Sequence, residues 1–148
     1  MSIELKIKAV SELAEQLKTR LESLQTAFSE LQESLLREEK STAGDKHETG
    51  RAMTQLELEK LGKQLKSCQL ELESYQKIDY HLPKNKVQTG ALVIHSKGNF
   101  LIGIAGSKLN CGVMPVSVSA PLVQSMINLS AGDSFPFQGQ SDSIKAIF

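Results

Sequence analysis

The stretch Ser41-Thr42-Ala43-Gly44-Asp45-Lys46-His47-Glu48-Thr49-Gly50 decides the fold, because the chain on either side of it repeats the same helical rhythm. Upstream, apolar side chains fall at Val10, Ala14, Leu17, Leu21, Leu24, Phe28, Leu31 and Leu35, in alternating steps of four and three. Downstream the rhythm returns at Leu58, Leu61, Leu65, Cys68, Leu72 and Tyr75. That spacing is the seam of a coiled coil. If the two helices fold back on each other, facing residues have numbers with a constant sum. Leu31 with Leu58, Phe28 with Leu61, Leu24 with Leu65, Leu21 with Cys68, Leu17 with Leu72 and Ala14 with Tyr75 all give 89. The turn is therefore centred between Gly44 and Asp45, and Glu38 is set opposite Arg51 as an exposed ion pair.

The first helix is expected over about 10–40 and the return helix over about 48–79, an arm of about 45 Å at the rise of an α-helix. Gly44 suits a left-handed helix end. Gly50 weakens the first turn of the return helix by about 1 kcal/mol relative to Ala. Residues 1–8 alternate apolar and charged side chains and read either as an extension of the first helix or as a frayed lead-in.

Pro83 ends the helical pattern, so 81–86 reads as a linker. Beyond it the vocabulary changes to Val, Ile, Gly and Ser in short runs. Val87–His95 and Phe100–Ala105 read as a hairpin joined at Lys97-Gly98-Asn99, and Val113–Val118 as a third strand. Ser119-Ala120-Pro121 reads as a helix start with an apolar face of Leu122, Val123, Met126, Ile127 and Leu129. Ser134–Gln138 and Ser143–Phe148 close the sheet. The expected fold is α+β: a coiled-coil hairpin over 1–80 with an acidic tip at 43–48, then a small antiparallel sheet domain with one helix over 87–148.

Composition excludes several function classes. The chain of 148 residues is formally neutral, but residues 1–80 carry 15 acidic and 12 basic side chains, against 2 and 5 in 81–148. Neither half has the basic surface of a protein that grips nucleic acid by itself. Two cysteines, Cys68 and Cys111, supply neither a disulfide framework nor a metal knuckle. Both are expected reduced, and the protein cytoplasmic and monomeric. The first residues lack a signal-peptide core, and nothing approaches the apolar length of a membrane span.

Asp45 and Glu48, three apart at the tip, are the one arrangement suited to chemistry. Carboxylate oxygens are what a hard cation such as Mg²⁺ prefers. Two of them cannot complete a coordination sphere, so a partner has to supply the rest. The same spacing also makes a capping box, and a cap holds both carboxylates in place, so the two roles coexist. His47 between them is a possible proton carrier or an ordinary solvated side chain. His81 and His95 have no partner that the sequence identifies. Cys111 lacks an activating base.

These parts resemble the Gre family of bacterial transcript-cleavage factors, over nearly the whole chain. Gly44-Asp45-Lys46-His47-Glu48 is similar to the family's Gly-Asp-x-x-Glu tip. Pro115-Val116-Ser117-Val118-Ser119-Ala120-Pro121-Leu122, followed by Ala131-Gly132-Asp133, is similar to its strand, helix start and turn. The resemblance implies a C-terminal domain like that of FK506-binding proteins, docked on RNA polymerase at the rim of its secondary channel. Ser119, Pro121 and Asp133 are then the expected partner-binding residues. Through the channel, Asp45 and Glu48 are expected to act as metal ligands in trans, sharing Mg²⁺ with the polymerase active site and promoting hydrolysis of backtracked RNA. The factor itself is then no enzyme, has no cofactor of its own, and meets nucleic acid only through the polymerase.

Lys46 and His47 replace the family's usual Leu and Ser, which keeps open a channel regulator that does not promote cleavage. A coiled-coil adaptor is a further alternative, though the seam looks satisfied within one chain. Prolyl isomerisation is poorly supplied: the end domain has no Trp and only Phe100, Phe135, Phe137 and Phe148 as aromatics.

Overall fold

A computed structural model describes residues 2–39 and 48–148. Two long helices come first, α1 (Ser2–Glu39) and α2 (Glu48–Lys77). α1 contains neither Gly nor Pro, so nothing in its 38 residues interrupts the ladder, and residues 2–8 extend the helix. α2 contains two glycines and begins at Glu48 despite Gly50. The Glu38–Arg51 pairing expected from the register lies outside what the structure describes.

The chain forms two compact units, Leu17–Leu72 and a second made of Met1–Gln16 with Glu73–Phe148. In the first, the helices run antiparallel along the expected seam. Leu17 and Cys68 are buried, while Leu21, Leu24, Phe28, Leu31, Leu58, Leu61, Leu65 and Leu72 are half-buried. Cys68 Sγ lies 3.9 Å from the Leu17 carbonyl. Phe28 lies over Gly62. Arg20 Nη1 donates to Glu71 Oε2 at 3.0 Å. The numbers of these pairs add to values on either side of 89. The Arg20–Glu71 bond is exposed and worth about 0 to 1 kcal/mol; it records register more than stability.

In the second unit the first turns of α1 bury Lys6, Ala9 and Leu13, whereas the seam positions Val10 and Ala14 are only half-buried. These turns belong to the same compact unit as the sheet, so more of their circumference is covered than a two-helix seam would cover. Gln16 Oε1 accepts from the Ser107 amide at 3.1 Å and its Nε2 donates to the Ser107 carbonyl at 3.2 Å. Glu12 Oε2 accepts from the Cys111 amide at 3.1 Å. Past α2, Asp79 Oδ1 accepts from the amides of His81 and Leu82, both at 3.1 Å, and turns the chain.

The sheet contains β1 (Leu92–His95), β2 (Gly98–Gly103), β3 (Val113–Ser117), β4 (Ser134–Phe137) and β5 (Gln140–Ile147), in the order β3-β2-β1-β5-β4, with α3 (Pro121–Met126) between β3 and β4. The expected all-antiparallel sheet is corrected here: β3 runs parallel to β2, pairing Asn99 with Val113 through Gly103 with Ser117. The 104–112 connection carries the chain back to the start of β2, and turns into β3 where Gly112, at φ 90, donates to the Leu109 carbonyl. β1 is also shorter than the expected Val87–His95. Ala91 donates to the Gln88 carbonyl, and Gly90 sits at φ 91 so close to the Asp79 carbonyl that a Cβ would clash at 2.9 Å. The expected β1–β2 hairpin forms, but its loop is Ser96-Lys97 rather than Lys97-Gly98-Asn99, because His95 pairs with Gly98 and Gly98 and Asn99 already belong to β2.

One side of the sheet holds the core of Val93, Ile102, Phe135 and Ile144, closed by Val123 and Met126 of α3 together with Val87 and Ala91. On the alternate positions Leu92 and Leu101, cross-strand partners, are fully buried as well. Both edge strands carry a proline, Pro115 in β3 and Pro136 in β4, which removes a ladder donor from each edge. Among the described residues no helix is long and apolar enough to cross a membrane.

Candidate functional site

α1 ends at Glu39 and α2 begins at Glu48, so Asp45, Lys46 and His47 fall in the connection of the helical hairpin and lie outside the described residues. Glu48 is the first residue of α2. The sequence locates the paired carboxylates at the end of this hairpin.

The other expected site residues are in view, and all three are exposed. Ser119 and Pro121 lie together at the entrance to α3. Ser117 Oγ accepts from the Ser119 amide at 3.2 Å and lies 2.9 Å from Ser119 Oγ, while Ala120 donates to the Ser117 carbonyl at 3.0 Å. This turn delivers Pro121 to the first helical position, where its missing N–H costs nothing. Gln124 Nε2 folds back onto the Val118 carbonyl at 2.6 Å. Asp133 lies past the other end of α3. Its Oδ2 accepts from the Ser130 amide at 2.8 Å, and its carbonyl accepts from Ile144 at 3.0 Å. Its carboxylate thus closes the turn into β4, a structural duty in the free protein.

Sequence reasoning missed a buried polar cluster inside the sheet. His95 at the end of β1 is buried, with its ring 5.7 Å edge-on from Phe100 and 5.5 Å from Phe135. Its Nδ1 accepts from the Lys97 amide at 3.0 Å, which places the proton of the neutral ring on Nε2. Nε2 lies 3.9 Å from Asp142 Oδ2, too far for a hydrogen bond, and neither atom has another partner. Asp142 Oδ1 is held by Lys97 Nζ at 3.2 Å. Burial pushes the His95 pKa down, with Asp142 pulling it up and Lys97 adding to the depression. With both side chains shut away from solvent, this pair has no route to an outside substrate. Only the alternation that puts Asp142 on the same face as Ile144 hinted at it.

Neither cysteine is activated. Cys68 is packed in the seam. Burial and the adjacent Glu12 carboxylate raise the Cys111 thiol, the opposite of what a nucleophile needs.

No family model and no curated protein matches this sequence. A solved structure of the transcription factor Gfh1 is similar, with 16% identity over 90% of this chain and 92% of that one, at a TM-score of 0.40.

Among the described residues no three His, Cys, Asp or Glu side chains converge where they could hold a metal. Asp45 and Glu48 are hard oxygen donors of the kind Mg²⁺ takes, and too few to satisfy its octahedral demand alone. The donor set fits a shared metal in kind and is too small to hold one alone.

Proposed function

We propose that this chain is a Gre-like transcription factor that acts on RNA polymerase through the secondary channel. The reading rests on one juxtaposition: α1 and α2 form a long antiparallel hairpin, and Gly44-Asp45-Lys46-His47 in its connection lead directly into Glu48 at the start of α2. A helical arm ending in two carboxylates suits the delivery of oxygen ligands into another protein's active site. The exposed entrance to α3, with Ser119 and Pro121, and the nearby Asp133 turn supply the polymerase-docking residues. Asp45 and Glu48 would hold a Mg²⁺ jointly with the polymerase's own ligands, and that ion would supply charge neutralisation and water activation in phosphodiester hydrolysis. The hairpin's own task is to orient the two carboxylates and to fill the channel. The formal neutrality of the chain agrees with nucleic acid being held by the polymerase.

Lys46 and His47 beside the acidic pair favour a second reading, a factor that occupies the channel without promoting cleavage. Both are tested on a stalled, backtracked elongation complex with its cognate polymerase and Mg²⁺. Wild type is expected to speed cleavage of the RNA. Asp45→Asn with Glu48→Gln is expected to bind equally and to lose at least about tenfold in rate, as removal of charged transition-state contacts does. Equal binding by both, with altered transcription and no cleavage by either, supports the second reading and overturns the first.

A further inference from the structure

Beside the first turns of α1 lies a cavity of about 360 Å³ that the polymerase reading does not use. Ile3, Ile7 and Val10 line it from α1, and Tyr75, Tyr80 and Pro83 line it from the end of α2 and the segment beyond. Its volume is at the lower end of the range of small-ligand sites. Ile3 and Ile7 are 48% and 64% exposed, so apolar surface continues from the cavity to its rim.

The wall also contains a cation. Lys6 is only 5% exposed, and its Nζ donates to the Leu82 carbonyl at 3.2 Å. An ammonium has three donors, and a buried charge is ordinarily paired. Among the described residues no carboxylate lies within ion-pair distance of Lys6. The carboxylate that acts on it from farther off, Asp79, spends one oxygen on the His81 and Leu82 amides. A second cation, Lys84, is close enough to act against it. Burial and then Lys84 lower the Lys6 pKa, so an entering anion would meet a charge short of compensation. His81 adds a further donor to the lining.

From this geometry we infer that the cavity is a binding site for a small amphiphilic carboxylate, its apolar chain lying against Ile3, Ile7 and Tyr75 and its carboxylate meeting Lys6 Nζ. Size favours a single short chain over a protein surface.

The chain has two tyrosines and no tryptophan, and both tyrosines line this cavity, so intrinsic fluorescence reports on it directly. Titrating the full-length protein with decanoate below its micellar concentration is expected to change tyrosine emission saturably. Decanol should bind about tenfold more weakly, and decyltrimethylammonium not measurably. Lys6→Met keeps the length and apolar stem of the side chain, and is expected to lower decanoate affinity about tenfold while leaving decanol unchanged. Ile7→Glu, at an exposed rim position that tolerates a charge, should also weaken decanoate. Thermal melts of both variants check that they are folded. No saturable change with decanoate overturns the inference, as does equal binding of decanoate and decanol. Retention of full decanoate affinity by folded Lys6→Met does the same. Tighter binding by a short peptide ending in Leu with a free carboxylate overturns the small-ligand assignment in favour of a peptide terminus.

Discussion

His95 shows most clearly what a single residue contributes beyond its sequence context. Its neutral ring is fixed by the Lys97 amide on Nδ1 and enclosed by Phe100 and Phe135, and burial holds its pKa below the usual histidine range. In the unfolded chain the same imidazole titrates near about 6.5. Between that value and the lower one in the fold, the unfolded chain binds a proton that the folded chain refuses, so stability is whole above about 6.5 and declines as pH falls through the window. The melting temperature should therefore drop between pH 7.5 and 5, and His95→Phe should flatten that slope whatever it does to the temperature at pH 7.5. Parallel pH profiles for the two proteins would remove His95 from the account. Nothing in the sequence identified this residue as special, because its partner Asp142 lies forty-odd positions away on β5, and local patterning is blind to such pairings.

Among the elements, the same substitution at two glycines should have opposite signs. Gly50 lies in the exposed first turn of α2, and a Cβ there would meet nothing within 4 Å. Gly50→Ala should stabilise by up to about 1 kcal/mol, the propensity difference in a helix interior. Gly139 follows Gln138 in the two-residue loop between β4 and β5, where both have positive φ, 77 and 51. A Cβ on Gly139 is equally unobstructed, yet the left-handed backbone costs an L-residue about 1 kcal/mol, so Gly139→Ala should destabilise by that amount. Denaturant unfolding followed by far-ultraviolet circular dichroism reads both, and equal signs would refute the assignment. The helices and the hairpins were legible because their signals are local: heptad spacing, Pro121 at a helix start, turn residues at 97–99 and 139–142, although the second loop closes earlier, at 138–139, and β5 already begins at Gln140. The parallel β2–β3 pairing was not, since it depends on the path of the 104–112 connection. The start of β1 was misplaced because Val87 is buried like a strand residue, while the turn closed by Ala91 and Gln88 follows it directly. The expected acidic site was legible only as chemistry, two carboxylates at a tip, and Ser119, Pro121 and Asp133 were found in turns whose hydrogen bonds the sequence did not foretell.

For the whole molecule, the two compact units differ in how their stability is built. Among the described residues of Leu17–Leu72, the fully buried hydrophobic side chains are Leu17 and Cys68; the rest of the seam is half-exposed. The other unit buries Leu92, Val93, Leu101 and Ile102 on the two faces of the sheet, together with Val123 and Met126 of α3. Each buried aliphatic side chain contributes about 1.5 to 3 kcal/mol relative to exposure, so the second unit has far more to lose on opening. Long helices without a deep core open locally at lower free energy than a packed sheet. Hydrogen exchange on the intact chain should therefore show amides of 25–35 and 52–65 exchanging at least about tenfold faster than those of β1, β2 and β5, a difference of about 1.4 kcal/mol in opening free energy. Equal protection would mean that the hairpin and the sheet unfold as one cooperative body. A binding partner that sheathes the hairpin, as a polymerase channel would, should slow exchange most in 25–35 and 52–65, because amides that open locally at low free energy gain protection when a partner binds only the closed form.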